Sequence, residues 1–339
     1  MRTLRVVLLM HDYLVPPEDV SGHDLMSVQW KTEHDVLVTL REMGHDVRPV
    51  GIKDDLTVIR RAVEEFKPHI AFNMMENFHE VGAFDHNIVS YLELLRVPYT
   101  GCNPRGLMLA RDKALSKTLL TYHRIPVPDF AVVHVGRKPR RPKRLPFPLI
   151  VKSLTEEASI GISQASVVND EEKLRERVAF IHSSVGTDAI IERYIDGREL
   201  YVGILGNQRL GVFPVWELHF TNMPDDVHRI ATERVKWSTK YQRKYGIKTR
   251  AADLPDGVAA RVQRLCKRVY RTLDLSGYAR VDLRMDESGR VFVIEANPNP
   301  QLGYGEDFAE SAERSGVSYE LLLQQILLAG LRWRPERTG

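Results

Sequence analysis

The stretch "ARVDLRMDESGRVFVIEAN" (279–297) sets four groups that can do chemistry into an apolar alternation: Arg280, Asp282, Glu295 and Asn297. Two alternating runs flank Ser288-Gly289, a pair suited to a two-residue hairpin turn. Folded about that turn, Asp282 faces Glu295 and Arg280 faces Asn297. Val281, Leu283 and Met285 then share an apolar face with Phe292, Ile294 and Ala296, which belongs in the core. Directly opposed carboxylates repel. A divalent cation would offset that repulsion. Asp, Glu and Asn oxygens suit magnesium, which usually shares its coordination with substrate phosphates. The same residues also fit a solvated face with a surface ion pair, in which Arg280 offsets part of the repulsion.

A magnesium–phosphate site needs cations and backbone donors. The chain has neither a G-x-x-x-x-G-K-[ST] loop nor a G-x-G-x-x-G turn. Lys152 ends the apolar run "PLIVK", where a lysine needs an anionic partner. The following "EEASIGIS" can fold over phosphates with its backbone N–H groups. Lys113, in "RDKALSK", is a second candidate cation. Taken singly, each lysine also reads as a surface residue.

The elements that must position these groups fall into three units. From the start to about residue 100, strand and helix patterns alternate: "RVVLLM" (5–10), a helix over 24–43, "HDVRPVGI", a helix from "DDLTVIRRAVEEF", "HIAFNM" and a helix near 85–96. Such alternation implies a parallel sheet covered by helices. A central unit, 101–195, holds the helix "DKALSKTLLTYH", the strands "PLIVKSL" and "DAIIERYI", and a helix over 170–182. A third unit, 196–335, holds a hairpin around Gly206-Asn207, a polar irregular stretch over 219–250, the amphipathic helix "VAARVQRLCKRVYRTL", the hairpin above and a terminal helix. The fold class expected of the first unit is therefore α/β.

Composition narrows the partners. The 339 residues carry a formal net charge of +3, which argues against a nucleic-acid binder relying on a basic face. The cationic, proline-rich "GRKPRRPKRLPFP" (136–148) reads as a solvated connector or as a site for an acidic partner. Cys102 and Cys266, the only cysteines, form neither a metal-ligand spacing nor a disulfide framework, which fits a reducing compartment. No stretch has membrane-spanning length and the N-terminal apolar run is too short for a secretory signal, so a cytoplasmic protein is expected.

In order, "RDK" (111–113), "PLIVKSLTEEASIGIS" (148–163), "IIERYIDGRELYVGILG" (190–206) and "GYARVDLRMDESGRVFVIEANPNP" (277–300) resemble the ATP-grasp superfamily, and within it the D-alanine–D-alanine ligases. The likeness extends to "LELLRVPYTG" (92–101) and to the tail "SAERSGVSYELLLQQIL". It implies an N-terminal parallel domain plus two α+β subdomains that clamp ATP. It further implies that Lys113 and Lys152 hold ATP phosphates and that Glu192 faces the adenine amino group. Tyr194 and Ile195 would line the adenine pocket, and Glu199 would bind the ribose. Asp282, Glu295 and Asn297 would ligate magnesium, as two ions. Arg280 would stabilise developing negative charge, and Lys236 would be the loop lysine at the γ-phosphate. The implied activity is a carboxylate–amine ligase working through an acyl phosphate on small amino-acid or peptide substrates, and the implied assembly is a homodimer.

The sequence also departs from that family. The Gly-Gly-x-Ser-x-Glu-like stretch after the first strand is replaced by "MHDYLVPPEDVSGHD", in which His11, Asp12 and Glu18 are the nearest candidates for the Glu that binds the first amino group. Ala158 stands for a serine that latches active-site loops, and Trp237 for the tyrosine of that latch. Gln301 stands where a glycine N–H often serves the oxyanion. Glu76 and His79 lie where the family places part of its first-substrate site. A changed carboxylate or amine substrate is one reading of these departures. A nucleotide-binding regulator without catalysis is the alternative.

Overall fold

The computed structural model describes residues 3–156, 159–224 and 227–335. Strand Arg5–His11 is apolar on both faces, as a central parallel strand must be. It pairs in parallel with Asp46–Ile52 on one side and Ile70–Asn73 on the other. Its alternate residues feed two cores. Val7 and Leu9 pack with Ile59, Ala62, Ile88 and Leu92 of the helices Thr57–Phe66 and Asp85–Leu94. Val6, Leu8 and Met10 pack with Val36, Leu37 and Leu40 of the helix Lys31–Glu42, and with Leu322, Leu323 and Ile326 of the helix Tyr319–Arg332. The last helix of the chain thus covers the first sheet.

The first of these helices begins at Lys31, seven residues after the expected start. Asp24 explains the difference. Its carboxylate accepts from the Met26 N–H at 3.1 Å and its carbonyl from the Ser27 hydroxyl at 3.1 Å, local bonds that compete with a helix. Met26 is 77% exposed.

A four-stranded antiparallel sheet follows, in the order Phe130–Val133, Ala189–Arg193, Leu149–Ser153, Val167–Val168. The helix Glu171–Phe180 covers it with Leu174 and Val178 against Leu149, Val151 and Ile191. The larger antiparallel sheet runs Ile247–Ala251, Trp216–Phe220, Arg198–Leu205, Tyr278–Met285, Val291–Pro298, with the short strand Gly211–Val212 beside Arg198–Leu205. The helix Val258–Thr272 seats Val262, Cys266 and Val269 in the core that also holds Val281, Leu283 and Val293.

The stretch over 219–250 is more regular than its polarity implies. It contains the helices Glu233–Trp237 and Thr239–Tyr245 before strand Ile247–Ala251. Val235, Tyr241, Tyr245 and Ile247 pack with Trp216 and Leu218, and the exposed polar residues between them mask the pattern.

The hairpin 278–298 corrects the expected register in two places. The turn takes three residues, not two. The Asp286 N–H donates to the Arg290 carbonyl at 3.0 Å, Gly289 adopts φ +76°, and the Asp286 carboxylate accepts from the N–H groups of Ser288 and Arg290. Met285 therefore pairs with Val291, and Leu283 with Val293. A bulge then leaves Ile294 as an extra residue. Beyond it Asp282 faces Glu295 and Arg280 faces Asn297, as expected. The two one-residue shifts cancel at the end that carries the chemistry. They also exchange faces: Val291 and Val293 join the core, whereas Phe292 lies under the guanidinium groups of Arg193 and Arg290.

Ala158, one of the departures noted above, lies outside the described residues. Both cysteines are free and buried. Among the described residues, no helix is long and apolar enough to cross a membrane.

Candidate active site

A cleft between the two antiparallel sheets is lined by Lys152, Glu192, Tyr194 and Ile195 from the smaller sheet and its exit, and by Glu199, Lys236, Asp282 and Glu295 from the larger. Its floor is a network of buried charge. The helix Lys113–Tyr122 is capped by the Asp112 carboxylate, which accepts from the N–H groups of Ala114 and Leu115, both at 2.9 Å. Lys113 and Lys117 are four residues apart and project from one face. Lys117 is 1% exposed and Glu192 0%.

Glu192 sits between two ammonium groups. Lys152 Nζ donates to its Oε2 at 3.1 Å, and Lys117 Nζ lies 3.4 Å from its Oε1. Lys117 also donates to the carbonyl of Ile294, the bulge residue. Burial works to raise the Glu192 pKa, but Lys117 and Lys152 outweigh it and hold the carboxyl below its ordinary range. Burial pushes the Lys117 ammonium down, reinforced by Lys152 and opposed by Glu192. Lys113 Nζ donates to the Glu156 carbonyl at 2.5 Å and lies 3.9 Å from Glu295 Oε2. The sequence reading missed Lys117. The four-residue step from Lys113 was the available signal.

At the apolar end, Ile150, Ile162, Leu283 and Ile294 line the cleft beside Tyr194 and Ile195. Arg284, also missed, is 4% exposed and ties this end together. Its Nε donates to the Ile195 carbonyl at 3.0 Å, and its Nη1 donates to Glu199 Oε2 at 2.9 Å and to the Arg229 carbonyl at 2.8 Å. Its alternation with Arg280 and Asp282 along one strand was the legible sign.

At the acidic end, Arg280 grips Asp282 with two bonds of 2.7 and 2.9 Å, its guanidinium stacked over Tyr201 at 4.8 Å. Burial raises the Asp282 pKa against the opposing pull of Arg280, and Glu295 raises it further. Burial also works to raise Glu295. There the lysines win, Lys113 first and then Lys236, Lys152 and Lys117, and bring it to about 2. Glu295 is thus an anion facing four cations. The Asn297 Nδ2 is buried with no hydrogen-bond partner among the described residues. Two carboxylates and an amide beside a ring of lysines fit a magnesium ion and the phosphates that accompany it, because each carboxylate oxygen keeps a lone pair beyond those already engaged.

The other sequence candidates lie outside the residues that line this cleft. Gln301 Nε2 donates to Thr32 Oγ1 at 3.2 Å, at the start of the helix Lys31–Glu42. Glu76 follows the third parallel strand, and its carbonyl is reached by Arg111 at 3.5 Å. His79 sits at φ +55° with its ring edge-on to Phe78. His11 ends the first strand and stacks on Tyr13, while Asp12 begins the turn beyond it.

A parallel α/β unit followed by two antiparallel sheets that close on a lysine- and carboxylate-lined cleft is the ATP-grasp architecture. The chain superposes over 97% of its length on a crystal structure of D-alanine–D-alanine ligase from Bacillus anthracis complexed with ATP, with TM-score 0.74, 22% identity and 98% of that chain covered. It superposes on the Coxiella burnetii D-alanine–D-alanine ligase with TM-score 0.70 and 19% identity, covering 97% of this chain and 94% of that one. Residues 119–328 match the family model described as the D-ala D-ala ligase C-terminus. A D-alanine–D-alanine ligase of Ralstonia nicotianae is 31% identical over 315 residues, 89% of this chain and 88% of that protein. An uncharacterised protein of Sinorhizobium fredii, y4sG, is 32% identical over 309 residues, 88% of this chain and 87% of that protein. The chain belongs to the D-alanine–D-alanine ligase family, a family of ATP-dependent ligases.

Proposed function

We propose that this protein joins a carboxylate to an amine at the expense of ATP, through an acyl phosphate. The observation that carries the reading is that Lys113 lies 3.9 Å from Glu295, opposite Asp282, with Lys152 and Lys236 lining the same cleft. An array of cations around one anionic strand end suits a triphosphate and a metal.

Each residue then has a task. Lys113 and Lys152 bind phosphate oxygens, with Lys117 and Glu192 fixing Lys152 from below. Tyr194, Ile195 and the apolar wall hold the base, with Glu192 at its amino group, and Glu199 holds the ribose. Asp282, Glu295 and Asn297 would hold magnesium, as two ions, which neutralise phosphate charge when bound. A carboxylate oxygen of the first substrate attacks the γ-phosphorus, the bond to the bridging oxygen breaks, and ADP leaves. Lys236 and Arg280 stabilise the oxygens on which negative charge gathers. The amine of the second substrate then attacks the acyl carbon. Phosphate departs with the electron pair of the broken C–O bond, and the amine loses a proton.

The substrates are amino acids or short peptides, bound on the side of the cleft towards Gln301, Glu76 and His79. That side differs most from the family pattern. Incubation with Mg-ATP and a panel of amino acids and dipeptides tests the reading. ADP and phosphate released only when two amino substrates are present, with a product of the mass of their amide, is the expected result. Release of AMP and pyrophosphate would contradict it. ATP binding without turnover across the panel would favour the regulator.

A further inference from the structure

Two loops meet over the cleft, one from each antiparallel sheet. From the larger sheet comes the segment 227–233, which puts Ile230 and Ala231 against the cleft and continues into the helix that carries Lys236. From the smaller sheet comes the segment 159–164. The contact between them is a built one. Gln164 Nε2 donates to the His228 carbonyl at 2.9 Å, and the His228 N–H donates back to Gln164 Oε1 at 3.0 Å. Ser159 Oγ donates to the Ala231 carbonyl at 2.7 Å, and the Glu233 N–H to the Ile162 carbonyl at 3.1 Å. Gln164 is itself held in place, since it opens a single turn that Ser163 and Ser166 cap reciprocally. An apolar seam of Ile150, Ile162, Val167, Tyr194 and Ile230 lies beneath.

We infer that the Gln164 side-chain amide is the latch that seats the 227–233 segment over the cleft and so positions Lys236. An amide is suited to this task because it offers one donor and one acceptor side by side, matching the N–H and C=O of a single residue. The backbone of His228 reads it as it would a neighbouring strand. With His228 fixed, its ring rests edge-on against Tyr194 at 5.2 Å, and the Arg229 carbonyl meets Arg284. Glu233 then starts the helix under the Thr232 cap, and the next turn places Lys236 at the acidic end. Gln164 touches no reacting atom in this scheme; it acts through Lys236. The inference rests on the nucleotide reading of the cleft only for its catalytic consequence.

Hydrogen–deuterium exchange on the full-length protein tests it without requiring turnover. Gln164→Leu removes both bonds at nearly constant volume. Amide exchange over 228–233 is expected to rise about 30-fold, the effect of losing two ordinary hydrogen bonds, while strand Ala189–Arg193 stays protected. Gln164→Glu keeps the acceptor for the His228 N–H but sets a carboxylate oxygen against the His228 carbonyl, so exchange over 228–233 should rise there too. Unchanged exchange over 228–233 in both variants would overturn the latch. If Gln164→Leu loosens the whole molecule, Gln164→Glu decides by the same comparison. Where ligase turnover is established, the latch further predicts that Gln164→Leu lowers kcat at least tenfold with a smaller change in KM for ATP. A fall in thermal stability alone, with both constants unchanged, would reduce Gln164 to a structural contact. Absence of turnover in the native protein would sink the ligase reading and leave the exchange result standing.

Discussion

Glu192 is shared between two lysines: Lys152 meets one carboxylate oxygen at 3.1 Å and Lys117 lies 3.4 Å from the other. All three groups are buried. The carboxylate is the nearest counter-charge of two ammonium groups, so the two possible deletions are unequal. Glu192→Gln takes that charge from both lysines and is expected to cost about 3–5 kcal/mol in urea unfolding, the range for breaking a buried pair. Lys117→Met leaves Glu192 paired with Lys152 and should cost clearly less. Equal losses would show that the carboxylate is not shared in the way described.

Arg280 bonds Asp282 through two nitrogens and covers the face of Tyr201. On the proposed mechanism, Arg280→Ala loses a donor aimed at the developing charge. Turnover should fall about 10²–10³-fold, the usual loss for one such donor. ATP affinity, measured by equilibrium titration, should change much less. A variant with an unaltered kcat would remove Arg280 from the chemistry.

Glu33 lies buried near the start of the helix Lys31–Glu42. Burial, aided by Glu76 and Asp35 and opposed by its own N–H, raises its pKa from 4.5 to about 7. A raised carboxyl binds its proton more tightly in the folded state than in the unfolded one. Its contribution to stability is therefore complete below pH 4.5 and is lost as pH climbs through 7. Glu33→Gln keeps the neutral shape at every pH. The variant should match the native protein near pH 4.5 and exceed it by on the order of 2–3 kcal/mol at pH 8. Parallel stability curves across that window would count against a buried, raised Glu33.

Gly277 precedes the hairpin 278–298 with φ +69°, and a Cβ there would stand 2.3 Å from the Gly101 carbonyl oxygen. Both the backbone region and the space demand glycine. Gly277→Ala should cost about 2–4 kcal/mol, combining left-handed strain with overpacking. By contrast, Gly289→Ala meets nothing within 4 Å and bears only the conformational cost of its φ. A thermal melt of the two variants separates the two terms.

Removal of magnesium should abolish turnover on the proposed mechanism. Glu295→Gln should raise the magnesium concentration needed for half-maximal rate by tenfold or more, because it removes one of the two carboxylates proposed to hold the metal. A magnesium dependence identical to that of the native protein would exclude Glu295 from the metal site.

The sequence by itself determined the strands that carry the candidate site. Period-two alternation in 279–297 placed Asp282 opposite Glu295, and apolar runs ending in Lys152 and Glu192 marked the strands that deliver them. Those signals are local, so they survive without any knowledge of packing. What the tertiary structure decided is non-local. The three-residue turn and the bulge at Ile294 are each a one-residue choice that alternation cannot see, and only their sum is fixed by the need to bury Val281 and Ala296 together. Lys117 became a buried partner of Glu192 because a helix from one segment lies against strands 75 and 177 residues later in the chain. Arg284 and Gln164 are ordinary polar side chains in the sequence. They acquire roles only when distant carbonyls, Ile195 and Arg229 for one and His228 for the other, are brought within hydrogen-bonding reach. Pattern fixes which face of an element is apolar; which buried polar groups meet across elements is settled by the closure of the fold, since an unpaired one costs more than most contacts return.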